Sequence, residues 1–314
     1  MKAAAAALAA SALLAAPQTG GWRDRGMPIA IDAEAVPLNP VNPAQSSVGA
    51  FTYAGGLALT SSQTDRLHGL SDLEVTGADR LTAVGDDGVI VTARLLLDPA
   101  GRVSGVTDGR LTVLAGEDGR PLAGKEEADS EGLAVFPNGD LLVSFERHHR
   151  IWLYPANGGP PRAVPKPDVN FPVPNNGMEA LAPDLAVAPD AYVVGAESNG
   201  QIWNCRISTT CVPARRAMRP AGTSLVAIRK LPAGRIAYLF RGYDAGRVHI
   251  VLHVMRADVT EGELELAPPL TVDNLEGVAA VPRPGGVTRF YLVSDDNASP
   301  QQRTLLLAFD WRSR

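Results

Sequence analysis

The sequence predicts an all-β protein, a β-propeller of five or six four-stranded blades, and three observations lead to this prediction. First, a unit of roughly 40 to 50 residues recurs along the chain, and this is the period of a propeller blade. Second, glycine (31) and proline (25) are abundant among the 314 residues, as expected for many short strands joined by turns. Third, no stretch has the pattern of a long helix.

The clearest unit covers residues 130–150 and reads SEGLAVFPNGDLLVSFERHHR. An apolar strand is followed by Asn-Gly-Asp at 138–140 and by a second apolar strand over 141–145. An Asn-Gly step between two β-rich runs is a strong hairpin signal. The second strand ends in a polar exit that contains Glu146 and Arg147.

The same order of opening, turn, strand and polar exit occurs in four further units, two of them weaker. Their openings lie at 68–75, 179–182, 224–228 and 276–279, and their exits at 85–88, 195–199, 241–244 and 294–297. The last unit shows only three clear strands, and residues 47–59 could supply the fourth. Such a strand would close the ring by joining both ends of the chain, which removes exposed sheet edges. A sixth blade partly hidden in 48–68, an open β-sandwich and two small β domains are the alternatives.

The N-terminal residues predict export. Lys2 is followed by a small, apolar run over 3–16, which is typical of a signal peptide. We expect residues 1–16 to be this signal, 17–47 to form a mostly irregular arm and 48–314 to form one propeller domain. The mature protein would then be periplasmic or secreted.

Charge and cysteine content narrow the class of protein further. The net charge of −5 gives no electrostatic reason to expect nucleic acid binding. No later stretch has the ~18 apolar residues of a membrane helix. Cys205 and Cys211 are close in the chain, and in an exported protein they would form a disulfide. Two free thiols are the alternative, and we expect a monomer.

Acidic residues recur at equivalent positions of the units. In a propeller blade, the residue before the first strand and the residue after the second strand lie at the same end of the ring. Glu131, Glu179 and Glu276 each precede a predicted inner strand in an E-(G/A)-(L/V)-A setting. Aspartate in a turn can be explained by local hydrogen bonding, but glutamate at this position cannot. We expect these glutamates to meet the acids of the exits, namely Asp86, Asp87, Glu146, Glu197, Asp295 and Asp296.

Carboxylates crowded at one mouth repel each other unless a cation lies among them or some are protonated. Oxygen ligands without histidine or thiolate favour a hard ion, Ca²⁺ before Mg²⁺ or Mn²⁺. The predicted metal ligands are Asp86, Glu131, Glu146, Glu179, Glu276, Asp295 and Asp296. A ring of salt bridges is the alternative, because Arg147 and Arg241 stand among the exits. The same arginines could instead hold an anionic substrate.

These segments resemble a known family. GLSDLEV, DSEGLAVFPNGDLLVSFERHHRIW, NNGMEAL, NLEGVAAV and LVSDDNASPQQRTLLLAF are similar to the phytase-like β-propeller family described as having esterase-like activity, over residues 48–311. The resemblance implies an exported propeller, related in fold to calcium-dependent β-propeller phytases, that hydrolyses esters or phosphoesters. It marks as site candidates Asp86, Glu131, Glu146, Arg147, Glu179, Glu276, Asp295 and Asp296. One difference is the exit at 85–88, where Gly-Asp-Asp-Gly replaces the family's Ser-Asp-Arg-Gly.

The function predicted from the sequence is metal-dependent hydrolysis of a small anionic ester or phosphoester. A bound Ca²⁺ would polarise the scissile group, and Glu131 or Glu179 would take a proton from water. Arg147 and Arg241 would neutralise anionic oxygens in the transition state. The sequence has neither G-x-S-x-G nor H-E-x-x-H, so it does not support a serine hydrolase of the α/β type or a zincin. A non-catalytic binding propeller and a lactonase-type propeller are the alternatives.

Overall fold

The computed structural model describes residues 26–244 and 246–313, with no description of the Asp244 side chain. The first strands are β1 (Met27–Pro28), β2 (Asp32–Ala35), β3 (Ser47–Val48), β4 (Phe51–Thr60), β5 (Leu70–Thr76), β6 (Arg80–Gly85), β7 (Val89–Leu97) and β8 (Val103–Val113). A short helix, α1 (Lys125–Ala128), precedes β9 (Ser130–Val135), β10 (Leu141–Phe145), β11 (Arg150–Tyr154), β12 (Arg162–Ala163), β13 (Ala180–Pro183), β14 (Ala191–Gly195), β15 (Ile202–Arg206) and β16 (Cys211–Pro213). The remaining strands are β17 (Thr223–Leu231), β18 (Arg235–Asp244), β19 (Arg247–Arg256), β20 (Val259–Leu266), β21 (Leu275–Arg283), β22 (Val287–Ser294) and β23 (Leu305–Arg312).

The strands form five antiparallel sheets in a ring, which is the arrangement of a five-bladed β-propeller. The first strands of the blades, β5, β9, β13, β17 and β21, contact one another around the central axis. Apolar side chains are buried between neighbouring sheets. The predicted fold is therefore confirmed. The open sandwich and the two-domain alternative are wrong, and no sixth blade forms within residues 26–244 and 246–313.

The ring closes as the sequence predicts, because a strand from the N-terminal part completes the last blade. β4 pairs antiparallel with β23, with Leu57 opposite Leu306 and Tyr53 opposite Phe309. The rings of Tyr53 and Phe309 lie 5.5 Å apart and add aromatic packing to the closure. This pairing joins strands from both ends of the described chain in one sheet.

The described part of the predicted N-terminal arm contains short strands within otherwise irregular chain. β1 adds to the edge of the first blade through β8, and β2 and β3 add to the closing sheet through β4. Leu38 is buried in the core of the last two blades. The predicted signal peptide lies outside the described residues.

Two further predictions concern the disulfide and the membrane. Cys205 and Cys211 are joined by a disulfide that links β15 to β16, so the predicted pairing is confirmed and the free-thiol alternative is wrong. In the described part of the chain, no helix has the length and hydrophobicity needed to cross a bilayer.

β-Bulges lie at the starts of four inner strands, where the site is built. In β9 the pairs Ser130–Phe145 and Leu133–Val143 leave two residues, Glu131 and Gly132, opposite one residue of β10. An equivalent shift occurs in β21 at Glu276, and others occur in β5 and β17. A bulge bends the strand and changes the direction of a side chain, and bulges are frequent next to active sites. Two of the three predicted glutamates therefore lie where the backbone departs from regular pairing.

A buried ion-pair network crosses the centre of the ring. Arg229 of β17 is 3% exposed, and its Nη2 lies 2.7 Å from Asp72 Oδ1 of β5. Its Nε lies 2.9 Å from Glu74 Oε2. The guanidinium also donates from Nη1 to the carbonyl of Leu181 in β13, and Asp72 Oδ2 accepts a hydrogen bond from Leu133 N–H in β9. Four of the five inner strands thus share one network below the mouth.

Candidate metal and active site

The inner strands and the polar exits enclose a cavity of about 420 Å³ at one end of the ring. Eight carboxylates and two permanent cations, Lys125 and Arg241, line it. The acids are Asp86, Asp87, Asp129, Glu131, Glu146, Glu179, Glu276 and Asp295. The expected meeting of inner-strand glutamates with exit acids therefore occurs, and the cavity carries an excess of negative charge.

Three of these acids form the tightest group. Asp129, Glu131 and Glu146 each offer a carboxylate oxygen, and the three oxygens lie within 4.8 Å of one another. Asp129 is 1% exposed, and Glu146 is also buried. One oxygen of Glu146 accepts a 2.5 Å hydrogen bond from Gly177 N–H. We call Asp129, Glu131 and Glu146 the acidic triad.

Close packing of neighbouring inner strands brings Glu179 to the triad. Gly132 follows Glu131 and packs directly on the carbonyl oxygen of Glu179, where any Cβ would clash. The same relation holds at Gly277, whose added Cβ would lie 2.7 Å from Asp72 Cα in the next blade. The glycines after Glu131 and Glu276 are thus needed for close contact between blades.

Glu131 and Glu179 are the acids with the least compensation. Oε2 of Glu179 is buried without a hydrogen-bond partner among the described residues. Burial raises the pKa of Glu131 well above its usual value, and the neighbouring charges of Glu179, Glu146 and Asp129 raise it further. Burial also raises the pKa of Glu179, with a further contribution from Glu197. These two carboxyls therefore need either a proton or a cation.

Arg241 is the cation in contact with Glu276, and acidic side chains bind both of its terminal nitrogens. Nη1 of Arg241 forms an ion pair with Glu276 and also donates a hydrogen bond to Asn274 Oδ1 at 3.0 Å. Nη2 donates to Glu197 Oε1 at 3.3 Å. Both terminal nitrogens thus have protein partners, so Arg241 acts as a counter-charge inside the mouth.

Arg147 lies beside the cavity and does not line it. Its Nε donates to Asp129 Oδ2 at 2.7 Å, and its Nη1 and Nη2 contact Glu126 and Asn175 at 3.4 and 3.3 Å. Like Arg241, it is engaged mainly by carboxylates. The salt bridges that the sequence allows as an alternative are therefore present, although the carboxylates still outnumber the cations.

The exit acids have different environments. Burial raises the pKa of Asp295 to about 6, and the charges of Asp86 and Asp296 contribute to this increase. Asp296 does not line the cavity, because its oxygens accept hydrogen bonds from Gly69 N–H, Ala298 N–H and the Thr304 hydroxyl. It therefore orders the exit of the last blade.

Two residues of the mouth, Asp129 and Lys125, escaped the sequence analysis. Both lie in the connection between the first two blades, which has no equivalent in the other units. The acid two positions before Glu131 was the only signal for Asp129. Nζ of Lys125 contacts Asp86 Oδ2 and Asp129 Oδ1 at 2.5 and 2.6 Å. Lys125 thus gives Asp86 a cation that the exit 85–88 itself lacks.

The donors fit a hard divalent cation. The triad offers three carboxylates, and the neighbouring Glu179 has a buried oxygen without a hydrogen-bond partner among the described residues. Oxygen donors of this kind suit Ca²⁺, Mg²⁺ or Mn²⁺ and give no tetrahedral nitrogen or sulfur site.

The raised pKa values predict how stability depends on pH when EDTA removes divalent ions. Burial raises the pKa of Glu146 from 4.5 to about 7, so between these values the folded state binds more protons than the unfolded state. Its contribution is fully retained below pH 4.5 and is lost as the pH rises to about 7, a loss of about 3 kcal/mol. Glu131 and Glu179 act in the same direction. We therefore expect the unfolding free energy to fall between these pH values.

Urea unfolding at pH 5, 6 and 7 in EDTA would test this expectation. Glu146→Gln should give a flatter profile than the wild type. Asp72 and Glu74, whose pKa values burial raises to about 6 and about 7, contribute equally to both proteins and cancel in the comparison. Parallel profiles would show that Glu146 does not titrate in this range.

The fold and this site define a class: a five-bladed β-propeller with an acidic mouth suited to a cation. The chain belongs to the phytase-like family, described as "esterase-like activity of phytase", whose family model matches residues 65–298. This confirms the resemblance seen in the sequence. A comparison with curated proteins finds no match.

Several solved structures are similar to the chain at low sequence identity. A protein described as a candidate gluconolactonase is 13% identical, with 90% of this chain and 93% of that chain covered and a TM-score of 0.48. A nidogen–laminin complex is 8% identical, with 81% and 95% covered and a TM-score of 0.45. A streptogramin B lyase is 10% identical, with 90% and 98% covered and a TM-score of 0.42. Likenesses of this strength carry no argument about activity.

Proposed function

We propose that the protein is a metal-dependent hydrolase of esters or phosphoesters that acts at the acidic mouth. The observation that supports this proposal most directly is the acidic triad next to Glu179, whose buried Oε2 has no partner among the described residues. Crowded, desolvated carboxylates are costly unless they bind a cation. Membership of a family described by esterase-like activity supports the reaction class.

Each group has a distinct part in this reaction. Asp129, Glu131 and Glu146 would hold the divalent ion, with Ca²⁺ as our first choice. The bound ion would supply Lewis-acid polarisation of the scissile group. Glu179 would accept the proton of the attacking water at Oε2, because a raised pKa brings a carboxylate closer to the basicity that this step needs. Arg241 would keep Glu276 and Glu197 neutralised while charge develops in the cavity.

A lactone is the second candidate substrate, and the arginine contacts favour a neutral substrate of this kind over a phosphoester. Arg147 and both terminal nitrogens of Arg241 already have protein partners. A phosphate dianion would therefore meet a cavity with few unengaged donors and many carboxylates. A neutral carbonyl needs less positive charge than a phosphate, so it would depend on the ion alone.

The first test is the thermal unfolding midpoint after EDTA treatment and after addition of Ca²⁺, Mg²⁺ or Mn²⁺. An ion that binds only the folded state raises stability by RT ln(1 + [L]/Kd), about 2.7 kcal/mol at a concentration 100 times Kd. We expect an increase with one ion, and we expect Glu131→Gln to abolish it. Glu265→Gln is the matched control, because Glu265 is exposed on an outer strand and pairs with His249. No increase with any ion would refute the metal site.

Turnover then separates an enzyme from a binding protein. With the stabilising ion present, p-nitrophenyl phosphate, p-nitrophenyl acetate and γ-butyrolactone should be assayed side by side. Hydrolysis that EDTA abolishes would support the proposal, and the preferred substrate would decide between phosphoesters, esters and lactones. Ion binding without hydrolysis of any ester would favour a non-catalytic propeller.

We also propose that the protein is exported to the periplasm or beyond. The charged start at Lys2 and the apolar run that follows support this, as does the disulfide of Cys205 and Cys211, since disulfides persist in oxidising compartments. Expression in a bacterial host with an intact Sec pathway should yield a periplasmic protein cleaved near Ala15 or Ala16, which intact mass measurement would detect. An uncleaved cytoplasmic product would contradict export.

A further inference from the structure

A lysine side chain lies among the acids of the mouth. Lys125 is the first residue of α1, in the connection between the first two blades. Its Nζ lies 2.5 Å from Asp86 Oδ2, 3.1 Å from the Asp86 carbonyl oxygen and 2.6 Å from Asp129 Oδ1. The ammonium therefore bridges the exit of one blade and the entrance of the next.

The ammonium acts on more acids than the two it contacts. Its charge also acts on Glu131, Glu146 and Asp295, which line the same cavity. Its two carboxylate partners, Asp86 and Asp129, favour the charged ammonium. Lys125 thus supplies a positive charge that acts on acids of the triad and on Asp295.

A divalent ion would need the same oxygens. Asp129 belongs to the acidic triad, yet its Oδ1 is 2.6 Å from Nζ of Lys125. An ion held by the triad would lie a few ångströms from the ammonium, and like charges at such a separation repel strongly outside bulk water. It is therefore unfavourable for the ion and the Lys125 ammonium to contact Asp129 at the same time.

The lysine can leave without disturbing the core. Its side chain is 42% exposed, whereas that of Asp129 is 1% exposed. α1 has only four residues, follows Gly124 with a φ of 74° and has no side-chain cap. Lysine also has a flexible stem that keeps its charge in water when it swings outward.

We propose that Lys125 is an internal competitor of the divalent ion: it neutralises Asp86 and Asp129 when no ion is bound, and it leaves Asp129 when an ion binds. It thereby weakens the affinity of the mouth for the ion and sets the ion concentration at which the site is filled. This inference rests on the proposed metal site.

Isothermal titration calorimetry with CaCl₂, MgCl₂ and MnCl₂ on the EDTA-treated protein tests the inference without an activity assay. We expect Lys125→Met and Lys125→Gln to bind the preferred ion about tenfold more tightly than the wild type. Lys125→Arg keeps the charge and should bind no more tightly than the wild type. Lys230→Met is the matched control, because Lys230 pairs with Asp184 away from the mouth.

The outcomes separate this inference from the proposed function. Tighter binding by Lys125→Met and Lys125→Gln, with no gain for Lys125→Arg or Lys230→Met, would support the competition. Unchanged or weaker binding by both neutral variants would overturn the competition while leaving the metal site intact. Equal gains for Lys125→Arg and Lys125→Met would also overturn it, since charge would then have no part. Failure of every protein to bind an ion would overturn both the competition and the metal site.

Discussion

Replacing Arg229 with methionine should lower the unfolding free energy by about 3 to 5 kcal/mol at pH 7, the usual cost of removing one partner of a buried ion pair. Arg229 is 3% exposed and contacts Asp72 and Glu74, neither of which has access to much water. The variant leaves a fully buried carboxyl, Asp72, and a largely buried one, Glu74, without a cation. It also removes a hydrogen bond that Arg229 donates to Leu181 of the neighbouring blade.

The loss should grow with pH. Burial raises the pKa of Asp72 to about 6 and that of Glu74 to about 7 even with Arg229 present, and its charge lowers both values. Without the arginine both pKa values rise further, so the folded variant keeps its protons to higher pH than the folded wild type does. We therefore expect a smaller loss at pH 5 than at pH 8.

Urea unfolding of the wild type, Arg229→Met, Glu74→Gln, the double variant and Arg256→Met would measure this effect. Glu74→Gln added to Arg229→Met removes one uncompensated charge and should recover part of the loss, as a double-mutant cycle would show. Arg256→Met is the control, because Arg256 is 49% exposed and pairs with Glu261 at the surface. Such a pair contributes about 1 kcal/mol or less. A loss for Arg229→Met as small as that of the control would show that the network contributes little to stability.

The propeller could be predicted because each blade carries its own local signals. The hairpin around Asn138 and the exits after each second strand repeat with a regular period, and the missing strand at 47–59 predicted the ring closure. The count of blades stayed open because that strand lies far from its partner in the chain. The pairing of β4 with β23, in which Leu57 lies opposite Leu306, shows that this strand completes the fifth blade.

Part of the site could be predicted because some of its residues also recur from blade to blade. Glu131, Glu179 and Glu276 occupy equivalent places in their units, so repetition marks them. Lys125 belongs to a connection without an equivalent, and its contacts depend on how the chain packs above the mouth. Arg229 pairs with Asp72, 157 residues away, and this contact exists only because the ring brings their inner strands together. A charge within an apolar inner strand was nevertheless a signal that a buried partner was required.

The second large effect concerns catalysis. Glu179→Gln should reduce kcat of the metal-dependent hydrolysis by about 100-fold or more, within the range attributed to general acid–base groups. Glutamine keeps the size of the side chain but cannot accept the proton of the attacking water. Since Glu179 is outside the acidic triad, the ion should still bind, and the ion-induced increase in the unfolding midpoint should largely persist.

Comparison with Glu131→Gln distinguishes a base from a ligand. Glu131→Gln removes a member of the triad, so it should lose the ion-induced stabilisation and the activity together, whereas Glu179→Gln should lose the activity alone. Kinetics with the preferred ester and thermal unfolding with the stabilising ion provide both measurements on the same samples. If Glu179→Gln also lost the stabilisation, Glu179 would be a ligand of the ion and the base would have to be sought elsewhere. If it kept its activity within a few-fold, the buried Oε2 would have no part in proton transfer, and the unpartnered oxygen would only reflect the crowding of carboxylates around the axis of the ring.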